Sequence, residues 1–153
     1  MASAAWRRAA GVAGLVIIAD QVSKAIVRSS IAPGATRRVI PGLLSLVHTT
    51  NSGVAFSVFS GSALAVTVVA LVVLAALVGF FAARASQRWL WLPTGLIAGG
   101  ALGNVIDRLR VGAVTDFIKF PDWPAFNLAD SAITIGVVLL ILLIGRGGTA
   151  RTA

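Results

Sequence analysis

The chain has 153 residues, 58% of them hydrophobic and only 12% charged, with a mean hydropathy of +0.94. Soluble domains carry roughly 25% charged residues, so too little polar surface is available here to cover a water-soluble core, and an integral membrane protein in one compact domain over residues 1–153 is expected. The net charge of +8, from 13 Lys+Arg against five acidic residues, is placed at the ends of apolar runs and suits anionic lipid, not nucleic acid. The absence of cysteine excludes disulfides, thiolate catalysis and Cys-ligated metals.

Trp6, Arg7 and Arg8 precede the apolar stretch Gly11–Ala19, which has the outline of a signal peptide. The helical pattern runs on past Asp20 to about Val27 with no small-residue cleavage site, so residues 9–28 are read as a retained first membrane span. Asp20 and Lys24, four apart on one face, suit either a local ion pair with Lys24 snorkelling to headgroups or a role in holding a site. Residues 29–61 hold turns at Pro33-Gly34 and Pro41-Gly42, a short strand over 43–50 with a partner at 37–40, a turn at Asn51-Ser52-Gly53, and an apolar return with Phe56 and Phe59 toward lipid.

Residues 63–83 lack any charge and form the second span, closed by Arg84 and Arg88 with Trp89 and Trp91 as interfacial aromatics. The third span covers about 89–107, with Pro93 in its first turn. Gly95, Gly99 and Gly103 recur every four residues on the face that also carries Asp107, so the face that packs closely is the face with the carboxylate. A possible strand over 111–120 ends at Pro121, and the fourth span, 127–145, opens on Asn127 as N-cap with Asp130 in its first turn. The fold class expected is an all-α integral membrane protein of four transmembrane helices with a small extracytoplasmic β-cradle. Each side of the bilayer receives six Lys and Arg positions from the span ends, tails and loops, but those at the termini and the 84–88 loop are denser, which favours termini inside.

Four spans bring Asp107 and Asp130 to the same side. Carboxylates at span ends are costly and call for a role. One role is a catalytic pair sharing a proton, with one carboxylate activating water and the other protonating the scissile carbonyl. The alternative is a non-enzymatic helical membrane protein in which Asp107 pairs with Arg108 or Arg110 and Asp130 caps its helix. A transporter has no charged path through the midplane. His48 is alone, read as a surface or interfacial strand residue, and Ser23 and Lys24 point apart, so no other catalyst, metal site or cofactor site is evident.

At these residues the chain resembles the lipoprotein signal peptidase family, bacterial signal peptidase II. Asp20 and Lys24 match its D-x-x-x-K element, and Asn51, Gly53, Ala55 and Phe56 its N-x-G-x-A-F turn. Gly103, Asn104, Asp107 and Arg108 match G-N-x-x-D-R, Val114, Asp116 and Phe117 match V-x-D-F, and Phe126, Asn127, Ala129 and Asp130 match F-N-x-A-D. The resemblance spans about residues 11–145. It implies an aspartic endopeptidase of the bacterial inner membrane, with termini cytoplasmic and the site at the outer face, that cleaves diacylglyceryl-modified prolipoprotein precursors just before the lipobox cysteine. It implies Asp107 and Asp130 as catalytic residues and Asn51, Gly53, Asn104, Arg108, Asn127, Asp20, Lys24 and Asp116 as supporting ones. It also implies no cofactor, membrane lipids as surroundings, and globomycin-type cyclic peptides as inhibitors. One departure is Val54, where a smaller alanine is common.

Overall fold

The computed structural model describes residues 2–52 and 63–149. Gly53, Val54, Ala55, Phe56 and Phe59, singled out in the sequence, lie outside the described residues. Four long helices and three short strands follow in the order α1 Ala2–Ser30, β1 Thr36–Ile40, β2 Leu44–Asn51, α2 Ala63–Arg84, α3 Trp91–Val111, β3 Val114–Lys119 and α4 Leu128–Thr149. Among the described residues three helices are long and apolar enough to cross a bilayer: α1, Leu64–Arg84 within α2, and Leu128–Gly145 within α4. Their outward faces carry exposed Leu, Ile and Val, as lipid-facing surfaces do.

Helix α3 differs from the other three because ten of its residues are buried, including Gly95, Gly99, Gly100, Gly103, Asn104 and Asp107. It packs against α1, α4 and α2. The expected glycine face is what admits α1. A Cβ on Gly95 would stand 2.7 Å from the Ala9 carbonyl oxygen, and one on Gly99 would stand 2.7 Å from that of Ala13. One on Gly103 would meet Asp20 Oδ2 at 2.8 Å. A second glycine, Gly100, does the same for α4 by lying against the Ala129 carbonyl. Without a hydrophobic force between helices in lipid, such backbone approach supplies the packing contacts.

The strands form one antiparallel sheet in the order β1-β2-β3. Gly34 and Gly42 take φ values of +78° and +74° at the two expected turns, a region that favours glycine. Gly112 (φ +80°) ends α3 by donating its N–H to the Arg108 carbonyl at 3.1 Å. This left-handed cap turns the chain directly into β3. Strand β3, shorter than the possible strand over 111–120, is buried on both faces from Val114 to Phe117. Phe117 packs on Val27 of α1 and on Ile31 just beyond it, while Asp116 points among polar groups from the other elements. His48 is a correction to the surface reading. It is buried, and its Nδ1 lies 2.8 Å from the Ile31 carbonyl, tying β2 to the end of α1.

Candidate functional site

The site lies where the C-terminal half of α1, the end of α3, strand β3 and the start of α4 meet. Helix α1 contributes Asp20, Gln21, Lys24 and Arg28, spaced so that all share one face. Lys24 and Asp20 are both fully buried, with Nζ 2.8 Å from Asp20 Oδ2. The same ammonium lies 3.2 Å from Asp107 Oδ2 and donates to Asn104 Oδ1 at 3.0 Å. Of the two readings of Lys24, the structure shows the ion pair with Asp20 and an inward-turned ammonium in place of snorkelling. The side chain turns inward because two carboxylates and an amide oxygen replace the water it gives up.

Asp107 is 1% exposed and pairs with α1, not with its own helix neighbours Arg108 and Arg110. Besides Lys24, its Oδ2 accepts the Thr115 backbone N–H at 3.0 Å, and its Oδ1 accepts from Gln21 Nε2 at 3.1 Å. Arg28 Nη1 stands 3.6 Å from Oδ1 while donating to Thr115 Oγ1 at 3.0 Å. Gly112 makes this possible, since the turn it permits returns the β3 backbone to the carboxylate one helical turn or so back.

Asp130 is held from the other side. It and Asn127 form a reciprocal cap: the Asp130 N–H donates to Asn127 Oδ1 at 2.9 Å, and the Asn127 N–H donates to Asp130 Oδ2 at 3.2 Å. This is the arrangement of a capping box with Asn and Asp in its two positions. Its other oxygen, Oδ1, accepts from Asn104 Nδ2 at 2.7 Å. Asp20 Oδ1 completes the start of α4 by accepting the Ala129 N–H at 3.0 Å. The two expected catalytic residues thus join one continuous network, Asp107 to Lys24 to Asn104 to Asp130. Asp107 is enclosed, and Asp130 is partly open to solvent.

A further branch runs through Asn127, whose Nδ2 donates to Asp116 Oδ1 at 2.7 Å and to Asn104 Oδ1 at 3.3 Å. Burial pushes the Asp116 carboxyl up to about 6, with the Asp130 charge acting in the same direction. Hydrogen bonds from Asn51 and Asn127 and the Lys24 charge oppose the rise. Arg108 makes no ion pair with a carboxylate among the described residues, and its buried Nε has no hydrogen-bond partner there. It remains within electrostatic reach of Asp130, Asp116 and Asp107.

The sequence reading missed Gln21, Arg28 and Thr115. Arg28 was assigned to the following connection and Gln21 to no role, yet the 20, 21, 24, 28 spacing marks a polar stripe on an otherwise apolar helix. Thr115 acts through its backbone N–H, which leaves no mark in residue type. The donor set holds carboxylates, amides and cations that satisfy one another, and no cluster of possible metal ligands occurs among the described residues.

Two solved structures similar to this one are described as bacterial membrane enzymes obtained by the in meso method. One has a TM-score of 0.86 and 35% identity over 95% of this chain and 91% of its own, and a second has 0.83 and 37% over 89% and 91%. The chain therefore shares the fold of these membrane enzymes. Residues 12–145 match the family described as signal peptidase (SPase) II. A lipoprotein signal peptidase of Syntrophomonas wolfei subsp. wolfei is 46% identical over 130 residues, covering 85% of this chain and 87% of that protein. One from Staphylococcus aureus (strain JH9) is 38% identical over 136 residues, covering 86% and 83%. The chain belongs to the signal peptidase II family.

Proposed function

We propose that the protein is an aspartic endopeptidase of the bacterial cytoplasmic membrane. In this reading it removes signal peptides from diacylglyceryl-modified prolipoproteins immediately before the lipobox cysteine, with Asp107 and Asp130 as the catalytic pair. The observation that carries the reading is the network itself: carboxylates from two separate helices held by one shared Asn104–Lys24 link. A network that served only to cap α4 would have no need of Asp107, and one that served only to anchor α1 would have no need of Asp130.

In the proposed reaction one carboxylate takes a proton from water as the water oxygen bonds to the scissile carbonyl carbon. The other, protonated, carboxyl gives its proton to the carbonyl oxygen. The tetrahedral intermediate then collapses: the C–N bond breaks, the departing amine takes up the proton first removed from water, and one hydroxyl returns its proton to the second carboxylate as the C=O re-forms. Asn104 and Asn127 act by holding Asp130, while Lys24, Gln21 and the Thr115 N–H hold Asp107. Asp20 fixes the start of α4, and Asp116 with Asn51 fixes Asn127. Arg108 contributes positive potential beside the carboxylates.

Helix α3, third in chain order, joins α1, α2 and α4 as a membrane span of a single peptidase domain. Its 21 residues extend roughly 30 Å, the thickness of the hydrocarbon layer. Its polar end then lies at the outer face, with both termini in the cytoplasm. The acyl chains of the substrate stay in the bilayer beside the bundle while the peptide crosses the carboxylates, so remote apolar binding positions the bond to be cut. A globomycin-type cyclic peptide occupies the same place and inhibits.

The test is digestion of one precursor with and without the diacylglyceryl group by the purified full-length protein in micelles, with products read by mass spectrometry. The expected product begins at the modified cysteine and forms only from the lipidated precursor. Equal cleavage of the unmodified precursor, or cleavage elsewhere, refutes the substrate assignment.

A further inference from the structure

At the end of the bundle opposite the aspartates, the start of α1 and the connection between α2 and α3 enclose a cavity of about 640 Å³ lined by Arg8, Ser86, Gln87, Arg88, Trp89 and Trp91, among others. Its floor is set by a small apolar cluster in which Ala5, Ala9, Phe81, Ala85 and Leu90 are buried, so the hollow has a fixed base. Above it the four long side chains form a ladder. Arg88 lies 5.7 Å from the Trp89 ring, Trp89 lies 5.9 Å from Trp91, and Arg8 lies 5.8 Å from Trp91. The backbone of Trp89 is turned to φ +70° to bring its ring into this ladder. A bulky residue adopts that conformation only where its surroundings impose it, and such residues concentrate at ligand clamps.

The charge here is unopposed. Arg7, Arg8, Arg84 and Arg88 all lie at this end, whereas the chain's five acidic residues are Asp20, Asp107, Asp116, Asp122 and Asp130. Asp20, the nearest along α1, lies twelve residues from Arg8, about 18 Å along the helix. Among the described residues no carboxylate stands within ion-pair distance of either Arg8 or Arg88. Two guanidiniums backed by indole faces, with a hydroxyl and an amide between them, provide charge, hydrogen-bond donors and a flat apolar wall.

We propose that this cavity binds the phosphodiester headgroup of an anionic phospholipid, separately from the peptidase site. The arginines bond the phosphate oxygens with paired N–H groups. Trp89 and Trp91 lie at headgroup depth, where indoles are favoured, and the acyl chains run down the exposed apolar faces of α1 and α2. A soluble phosphate shares the headgroup chemistry but has no chains to place there, and the indoles and exposed helix faces favour the lipid.

The experiment uses the full-length protein in nanodiscs of phosphatidylcholine, with phosphatidylglycerol added in steps, and counts retained lipid by native mass spectrometry after release. Wild type is expected to retain phosphatidylglycerol in preference to phosphatidylcholine, with inorganic phosphate at millimolar concentration failing to displace it. The Arg8→Gln/Arg88→Gln double variant is expected to lose roughly 30-fold in affinity, about fivefold for each arginine near an anionic surface. Peptidase turnover in detergent stays at the wild-type value. Ser86→Asp places a negative charge in the cavity while keeping both arginines, so its loss of the same lipid covers the case in which the double variant is misfolded. Arg37→Gln/Arg38→Gln, on β1 at the other end, is expected to bind as wild type does. Equal retention of the two lipids by wild type, or unchanged phosphatidylglycerol binding in Ser86→Asp, overturns the site. Full displacement by inorganic phosphate overturns the assignment to lipid.

Discussion

Replacing Lys24 with methionine removes a fully buried ammonium that lies 2.8 Å from one carboxylate, 3.2 Å from a second and 3.0 Å from the Asn104 amide oxygen. Methionine fills similar volume, so the loss is electrostatic and not one of packing. Two buried carboxylates are then left without their shared counter-charge. Breaking such a pair from one side costs about 3–5 kcal/mol, a shift of roughly two to three decades in the folding equilibrium. The carboxylates do not lose equally. Asp107 keeps the Thr115 N–H, Gln21 and the more distant Arg28, whereas Asp20 keeps only the Ala129 N–H and Gln21. Most of the penalty therefore falls on Asp20. Adding Asp20→Asn to Lys24→Met should restore at least about 1.5 kcal/mol, because asparagine retains an oxygen for Ala129 without the charge. Unfolding in mixed micelles, followed by the fluorescence of the four tryptophans, measures all four corners of this cycle. A Lys24→Met variant within about 1 kcal/mol of wild type, or effects that add to within about 0.5 kcal/mol, would show that the three groups are not coupled as described.

Other perturbations separate the remaining parts. Gly99→Ala forces a methyl group to 2.7 Å from the Ala13 carbonyl and 2.8 Å from Val16 Cβ, and should cost about 1–3 kcal/mol by pushing α1 off α3. Gly14→Ala, with nothing within 4 Å, should be neutral or stabilising by up to about 1 kcal/mol; equal effects of the two in the same unfolding assay would contradict the close-approach account. Asn127→Ala removes the cap of α4 and the donors to Asp116 and Asn104, and should cost about 2 kcal/mol or more together with most of the peptidase activity. Retention of full turnover would leave Asn127 a cap alone. Asp116 gives a pH signature. With its folded value raised to about 6 from 3.8, the native state keeps a proton that the unfolded chain has released between those values. Stability from this group is therefore greatest below pH 4 and is lost as pH rises through 6, by about 3 kcal/mol at most. The difference in unfolding free energy between wild type and Asp116→Asn should change by that amount between pH 4 and 7, and a constant difference would refute the burial argument.

The elements were legible because each is announced by a strong local signal. The charge-free run of α2, the turn glycines Gly34 and Gly42, and the Asn127-to-Asp130 cap all depend on neighbours in sequence. The glycine face of α3 was legible too, since spacing alone selects a packing surface, although the identity of the helix on the other side was not. What escaped notice depends on contacts made far along the chain. The Asp20 and Lys24 spacing leaves snorkelling and a site-holding role equally open, and the choice between them follows from Asp107, 83 residues later. His48 reads as a surface residue until the Ile31 carbonyl is seen beneath it. The start of α1 at Ala2, well before residue 9, follows from packing of Ala5 and Ala9 beside Phe81 and Leu90, which no hydropathy window registers.

Turnover of a diacylglyceryl-modified precursor by purified Asp107→Asn and Asp130→Asn, each checked for wild-type folding in micelles, tests the catalytic pair most directly. Each amide keeps an acceptor oxygen for its neighbours but cannot exchange a proton at reaction pH. The expected result is a fall in kcat of at least roughly 10²–10⁴-fold in both variants, the range for loss of acid–base catalysis, with substrate binding retained. Turnover near the wild-type rate by either folded variant would contradict it.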